Sequence, residues 1–410
     1  MERFSIAMSG EEVGHVREQF PGTQRWAYFD VAARALLPRR TREAVDGYLD
    51  SLTLDGGDKP EMFRVVESAR AQFAALIGAE PDEIAITKNV SEGLNIIATA
   101  YPWQRGDKVV LCAEREHPNN LYIWQHLAKR HGIEVVLVNS RDDCIVAEDL
   151  IATFDSQTRM VSVSSTSFHP GLRTDLDLLA NECSAREIFL LVDAVQSAGI
   201  VHIDVRKTKL DALAVSTQKG LLGLYGFGFL YCCRHRADKL EPAYLARFGV
   251  DLGEAHEADG GGSEFKFMPA ARRFDLGNYN FAGATAVNKS LEMLLEIGTE
   301  RIEQHVTALS KRLVEGLLGA GLPVAGAPFG PHFANMVTVT PNNGDPGFNE
   351  RLEKTLASEQ IRLSIRRNAL RFSSHCYNTA DEVDRIIDCV RRFVRLNSSA
   401  PSSTISRTSA

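Results

Sequence analysis

The chain has no CxxC pair, no long basic run, no apolar run of bilayer length and no internal repeat. Its seven cysteines, Cys112, Cys144, Cys183, Cys232, Cys233, Cys376 and Cys389, are odd in number and irregularly spaced. Neither a disulfide framework nor a zinc site can be read from them, and no metal is expected. Reduced thiols fit a cytosolic protein, so a cytoplasmic location is expected. The missing apolar run argues against a helical membrane span. Met1 to Gly10 lacks the basic region and apolar core of a secretory leader, so none is expected. The formal net charge is -7 and no basic stripe appears, so no nucleic-acid partner is expected.

What is present is ordinary globular material. The 410 residues are 44% hydrophobic and 24% charged, enough for a large core and two domains. A short helix is read over Glu11 to Phe20, closed by Pro21-Gly22, and a second starts at Pro38 and runs through Tyr48. Residues 62–78 carry Phe63, Val66, Phe73 and Leu76 at helical spacing. From Ile84 short, mostly β-branched runs alternate with helical stretches. The strands are Ile84–Thr87, Val109–Cys112, Val135–Val138, Met160–Val163 and Phe189–Val192, extended by Leu213–Ser216 and Gly228–Tyr231. The helices are residues 92–100, 119–131, 147–153 and 175–185. This alternation predicts an α/β fold with a large, mainly parallel sheet wrapped by helices. The acidic, glycine-rich stretch Asp251 to Glu264 reads as a mobile loop. Helices over 281–297, 299–320, 349–358 and 380–394, with strands at 335–340 and 370–373, predict a smaller C-terminal α+β domain. The Ser- and Thr-rich tail from Asn397 reads as disordered.

The chemistry turns on Lys219, which follows a short apolar strand in Ser216-Thr217-Gln218-Lys219-Gly220. Asp193 ends another apolar strand, in Leu191-Val192-Asp193-Ala194-Val195-Gln196. A lysine able to form a Schiff base and a carboxylate able to keep a pyridine nitrogen protonated are what pyridoxal phosphate (PLP) requires. Taken singly, a lysine is usually on the surface and an aspartate in such a place is often an N-cap. The pair together with Gln196, which can donate to the cofactor's phenolic oxygen, is more specific. Thr87-Lys88-Asn89-Val90-Ser91-Glu92-Gly93 joins a strand to a helix. The Val90 and Ser91 amides and the Ser91 hydroxyl suit a phosphate, although a plain N-cap reads the same. Ser216 and Gln218 offer further phosphate donors. His117, in Glu116-His117-Pro118-Asn119-Asn120, can stack on a pyridine face, and its unperturbed pKa near ~6.5 suits proton transfer. Alone, it reads as a loop histidine. Arg371 can fork onto a substrate carboxylate or equally pair with a neighbouring acid. Gly223, Gly226 and Gly228 permit tight turns beside a planar ligand. His169, Arg173 and the Glu254–Asp259 loop are weaker substrate-contact candidates.

Together, Tyr28-Phe29-Asp30-Val31-Ala32-Ala33, Asp193–Gln196, Ser216–Lys219 and Arg371 through Thr379 resemble the class V aminotransferase family of fold-type I PLP enzymes. That family includes cysteine desulfurases, selenocysteine lyases, isopenicillin-N-epimerase-like proteins and kynureninases. The resemblance implies that Lys219 is the Schiff-base lysine and proton shuttle. It implies Asp193 on the ring nitrogen, Gln196 on the phenolic oxygen and His117 stacked on the ring. Val90, Ser91, Ser216 and Gln218 would hold the phosphate, and Arg371 the carboxylate of an amino-acid substrate. Arg273-Phe274-Asp275-Leu276-Gly277-Asn278 would reach a partner's cofactor phosphate, implying a homodimer with shared sites. The matching division is an N-terminal segment (1–27) packed on the small domain, a large PLP-binding domain (28–285), a small C-terminal domain (286–396) and a tail (397–410).

Departures from the family pattern narrow the function. Gln218 stands where desulfurases usually have His, Asn278 where Thr is common, and Leu224 where the glycine turn has Pro. The Lys219 to Gly223 spacing resembles the epimerase-like branch. Asn349 to Leu370, where desulfurases carry a persulfide cysteine, contains none, and Cys376 comes after Arg371. The expected function is a PLP-dependent lyase on a cysteine-like or other β-substituted amino acid, with no enzyme persulfide. The alternatives are an epimerase or aminotransferase of a small amino acid and, further off, a catalytically inactive PLP-binding protein.

Overall fold

A computed structural model describes residues 8–253, 265–341 and 344–398. The Glu254–Asp259 loop and the tail beyond residue 398 lie outside the described residues. The central sheet has seven strands: β1 (Ile84–Thr87), β2 (Lys108–Leu111), β3 (Glu134–Leu137), β4 (Thr158–Ser164), β5 (Phe189–Asp193), β6 (Ala212–Ser216) and β7 (Gly228–Cys232). Their order is β1-β7-β6-β5-β4-β2-β3, and only β7 runs antiparallel to its neighbours. Alternate residues of every strand but the half-buried edge strand β3 fill two separate cores. Ile86, Val110, Val163, Val192 and Val215 face one, while Ala85, Leu111, Met160, Leu191 and Ala214 face the other. Burial on both faces is why these strands read as unbroken apolar runs.

Helices cover the two faces for identifiable reasons. On one, α3 (Lys59–Ile77), capped by Asp58, packs with α8 (Phe281–Ile297), and Phe73 stacks on Phe229 of β7 at 4.3 Å between ring centroids. On the other lies α4 (Val90–Ala100), whose Asn89 cap accepts the Glu92 amide at 3.0 Å. A Cβ at Gly93 would meet the Ala214 Cβ at 2.8 Å, so glycine lets α4 approach β6 closely. Further helices include α1 (Gly10–Glu18), α2 (Arg39–Asp55), α5 (Asn119–His131), α6 (Ala147–Ile151) and α7 (Leu176–Ala185). Helix α2 continues past Tyr48 until the left-handed Gly56 stops it.

The C-terminal unit is a three-stranded antiparallel sheet, ordered β8-β10-β9, of β8 (Met336–Val339), β9 (Ser364–Arg366) and β10 (Ala369–Ser373). It packs with α9 (Thr299–Gly319), α10 (Phe348–Ser358) and α11 (Ala380–Ser398) around its own core, which includes Leu313, Val337, Leu352, Leu370 and Val390. The N-terminal segment meets both cores. Phe20 joins the large one, whereas Ala27–Tyr28 pairs with Ile361–Arg362 and Arg17 bonds Glu382 at 2.9 Å. Helix α8 buries its face against the large core. Among the described residues no helix is long and apolar enough to cross a membrane.

One buried ion pair fastens the Arg273–Asn278 segment to the sheet. Arg70 on α3 is fully buried and bonds Asp275 at 2.6 Å, and the other Asp275 oxygen accepts the Ile86 amide of β1 at 2.8 Å. Removing the acid leaves the buried guanidinium only the longer pair with half-exposed Glu67, at 3.3 Å, and the Ile84 carbonyl. Asp275→Ala is therefore expected to lower unfolding free energy by about 3–5 kcal/mol, read from the urea midpoint.

Candidate active site

The carboxyl ends of β1, β2, β4, β5 and β6 surround a cavity of about 250 Å³. Ligands of open α/β sheets bind at this edge. Asp193 closes β5, Ser216 closes β6, and Lys219 lies just beyond it. Strand β1 leads to Val90 and Ser91 at the start of α4, and β2 leads to the turn bearing His117. Gln196 and Gln218 complete the expected residues that line the cavity.

Two charges are buried together here. Asp193 is 2% exposed, and burial pushes its carboxyl up to about 6, with the Val195 amide and Lys219 opposing. Its Oδ1 accepts that amide at 2.9 Å, and it forms no ion pair among the described residues. Burial lowers Lys219 to about 8, with Asp193 opposing. Burial and then Lys219 also lower the His117 pKa. The His117 Nδ1 accepts the Asn119 amide at 3.2 Å, so a neutral ring carries its proton on Nε2. The ring stands edge-on to Phe168, with centroids 4.9 Å apart.

The phosphate donors are arranged differently from the simplest reading. The Val90 amide donates to Ser216 Oγ at 2.8 Å, so these two groups engage each other. Ser91 Oγ accepts from Asn119 Nδ2 at 2.5 Å. Gln196 Nε2 donates to the Ala32 carbonyl at 3.3 Å, while the Gln218 carbonyl accepts the Ala35 amide at 3.0 Å. Arg371 is fully buried and sits one side chain back from the cavity. It lies 5.5 Å over the Phe168 ring and donates to the Phe168 carbonyl at 3.0 Å. Asn278 is exposed and borders a neighbouring hollow with Lys88, Glu92 and Gly226, away from its own chain's Lys219 cavity. Arg173 pairs with Glu303 at 2.5 Å beside a separate cavity, and burial takes His169 down to about 4.

Among the lining residues that sequence reasoning missed are Asn119, Ser164, Thr166, Phe168 and Tyr225. Asn119 had a signal, since it opens a recognisable helix two positions after His117. Thr166 and Phe168 had none, because nothing in the sequence says that their loop folds back over the sheet edge.

These residues fit PLP. A buried carboxylate without a cation suits a protonated pyridine nitrogen, a buried lysine suits the aldehyde, and the start of α4 suits a phosphate. The arrangement is that of a fold-type I PLP-dependent enzyme. The family model described as aminotransferase class-V matches residues 27–386, and the chain belongs to that family. An uncharacterized aminotransferase of Bacillus subtilis (strain 168) is 31% identical over 375 residues, covering 91% of this chain and 95% of that protein. The apo structure of a cysteine desulfurase from Thermococcus onnurineus NA1 is 27% identical with a TM-score of 0.81, covering 95% of this chain and 100% of that one. A C-DES variant with glycine covalently linked to its PLP cofactor has a TM-score of 0.82 at 22% identity, covering 92% and 98%, a likeness of fold. PLP is the cofactor of that C-DES variant, and the residues lining the Lys219 cavity fit it.

The buried acid gives a test without turnover. A carboxyl raised in the folded state stabilises below its unfolded value and loses that contribution as pH rises through the folded value, here from 3.8 to about 6. In the cofactor-free protein Asp193→Asn is expected to gain on the order of 2–3 kcal/mol above pH 6 and nothing near pH 3. The same variant is expected to bind PLP more weakly, so thermal melts with and without cofactor should move in opposite directions.

Proposed function

We propose that the protein is a PLP-dependent lyase acting on a cysteine-like or other β-substituted amino acid, with no persulfide on the enzyme. The observation that supports this is the placement of thiols. None of the seven cysteines lines the Lys219 cavity, and all but Cys144 are buried. Burial lifts Cys112 to about 11 and Cys376 further still, and Cys376 Sγ rests 3.1 Å from the His375 ring. A sulfur acceptor must be an exposed thiolate near the substrate, and these groups are neither.

When bound, PLP supplies an electron sink for charge developing at the substrate Cα. The chain's residues do the rest. Asp193 holds the pyridine nitrogen protonated. Lys219 Nζ, lowered to about 8, is poised to take and return the proton at Cα. His117, neutral with its proton on Nε2, can donate a hydrogen bond to a departing β-substituent. Arg371 would take the α-carboxylate once the Phe168 ring that covers it moves aside. A homodimer with shared sites is part of the proposal. The exposed Asn278, held in a left-handed turn at φ 47° after Gly277, supports it.

A second reading, an aminotransferase, is favoured by the name of the 31% identical Bacillus subtilis relative. Incubation with a panel of L- and D-amino acids separates the two. A keto acid with free ammonia supports the lyase, and a keto acid with an aminated acceptor supports the transferase. Lys219→Ala is expected to lose about three orders of magnitude or more in kcat. Cys376→Ser and Cys144→Ser are expected to retain full turnover. A fall of about ten-fold or more in either, equivalent to about 1.4 kcal/mol, would point instead to a thiol in the reaction.

A further inference from the structure

Two helices begin at the edge of the Lys219 cavity, and one side chain joins their first turns. Asn119 opens α5, Ser91 is the second residue of α4, and both line the cavity. Asn119 follows His117-Pro118. Proline has no amide hydrogen, so the Asn119 amide is the first donor after the histidine, and a helix start leaves it free of the helical ladder. His117 Nδ1 accepts it at 3.2 Å. The side chain has a separate task, since its Nδ2 donates to Ser91 Oγ at 2.5 Å.

The first turn of α4 shows what that bond changes. The Val90 amide is engaged by Ser216 Oγ and the Glu92 amide by the Asn89 cap. The Gly93 amide donates to the Asn89 carbonyl at 3.3 Å. Among the described residues the Ser91 amide has no acceptor, and neither has the Ser91 hydroxyl hydrogen. Ser91 therefore carries the donors that this helix start still offers to an anion. A hydroxyl has one hydrogen and two lone pairs, whereas a side-chain amide nitrogen only donates. With Asn119 Nδ2 on one lone pair, the Ser91 hydrogen is directed elsewhere. The adjacent asparagine has a different place. Asn120 is fully buried, donates to Glu116 and accepts Trp124 Nε1 at 3.3 Å. Asn119 is exposed at the rim, and Ser91 is the partner of its Nδ2.

We propose that Asn119 is a positioning residue for the cofactor: its side-chain amide orients the Ser91 hydroxyl so that the amide and hydroxyl of Ser91 donate together to the PLP phosphate. The inference rests on the reading of this cavity as a PLP site with the phosphate at the start of α4, and it adds a residue from outside that helix. Hydrogen bonds to an ionised phosphate are the strong ones, so a hydroxyl held in the donating orientation contributes more than one free to rotate. The same residue holds His117 through its backbone, so one position serves both the ring and the phosphate.

Absorbance titration of the cofactor-free protein with PLP and with pyridoxal, which lacks the phosphate, tests this. Asn119→Ala keeps the backbone amide on His117 and removes only the side chain. It is expected to weaken PLP about five- to ten-fold and to leave pyridoxal unchanged. In Asn119→Asp the carboxylate only accepts, so it draws the Ser91 hydrogen away from the phosphate and sets a like charge beside it. PLP is expected to weaken further there, with pyridoxal again spared. In a Ser91→Ala background the effect of Asn119→Ala is expected to vanish, because the hydroxyl it acts on is gone. Unchanged PLP affinity in Asn119→Ala overturns the proposal. So does an equal loss of PLP and pyridoxal, or a loss that persists in the Ser91→Ala background. Ser91→Ala alone separates this failure from that of the phosphate reading. If it weakens PLP against pyridoxal while Asn119→Ala does not, the phosphate site stands and the positioning role falls. If it spares PLP, the phosphate site falls and the proposal with it.

Discussion

A carboxylate buried at the end of a buried strand governs this molecule. Asp193 has protein on every side except the cavity and finds no cation among its bonded neighbours. Transferring such a charge from water is costly unless it is paired, so the position favours a cationic ring. A second acid sharpens that preference. Glu116, fully buried next to His117, accepts from the Ser164 amide at 2.7 Å and from Asn120 Nδ2 at 2.9 Å. Ser164 is the residue paired with Asp193 across β4 and β5. Burial lifts Glu116 to about 7, with Asp193 adding to the rise, while Asp193 reaches only about 6. Of the two acids, only Asp193 lines the cavity. The Glu116 network also ties the His117 turn to the strand beside Asp193.

The parts of the fold that were legible in the sequence were those under the strongest physical constraint. Strands buried on both faces must be apolar along their length, and all seven strands of the large sheet lie within two residues of where the runs placed them. Strand β9 was not legible. It is three residues long, ends in arginine and turns through Arg367-Asn368 without a glycine. Its register nevertheless sets where Arg366 and Arg371 stand. The same asymmetry holds in the site. Lys219 and Asp193 are residues with a chemical purpose at strand ends, so type and position together identified them. Phe168 and Thr166 matter through where a loop passes, and residue type alone does not report that. Nor could spacing reveal that Val90 and Ser216 satisfy each other or that Arg371 stands behind an aromatic ring.

The cavity is lined by the large unit alone, and the chain fastens the small unit to it nearby. The large sheet supplies Asp193 and Lys219, and the small sheet places Arg371 behind the lining residue Phe168. Between them runs the N-terminal stretch. The Ala32 amide donates to Ser373 Oγ of β10 at 2.8 Å, and the Ala32 carbonyl accepts from Gln196 at 3.3 Å. A second tie reaches the lysine loop. His375 Nε2 donates to the Gly220 carbonyl at 3.0 Å, and its Nδ1 accepts the Cys376 amide at 2.7 Å. Burial pulls this histidine down to about 4, so it stays neutral across the working pH range and keeps both bonds. Gly220 has no room for a side chain, because a Cβ there would meet the Ala198 carbonyl oxygen at 2.3 Å. The residue after the reactive lysine is thus pinned on two sides. The lysine's freedom is confined to its own side chain, which is the freedom that moving a proton at Cα requires.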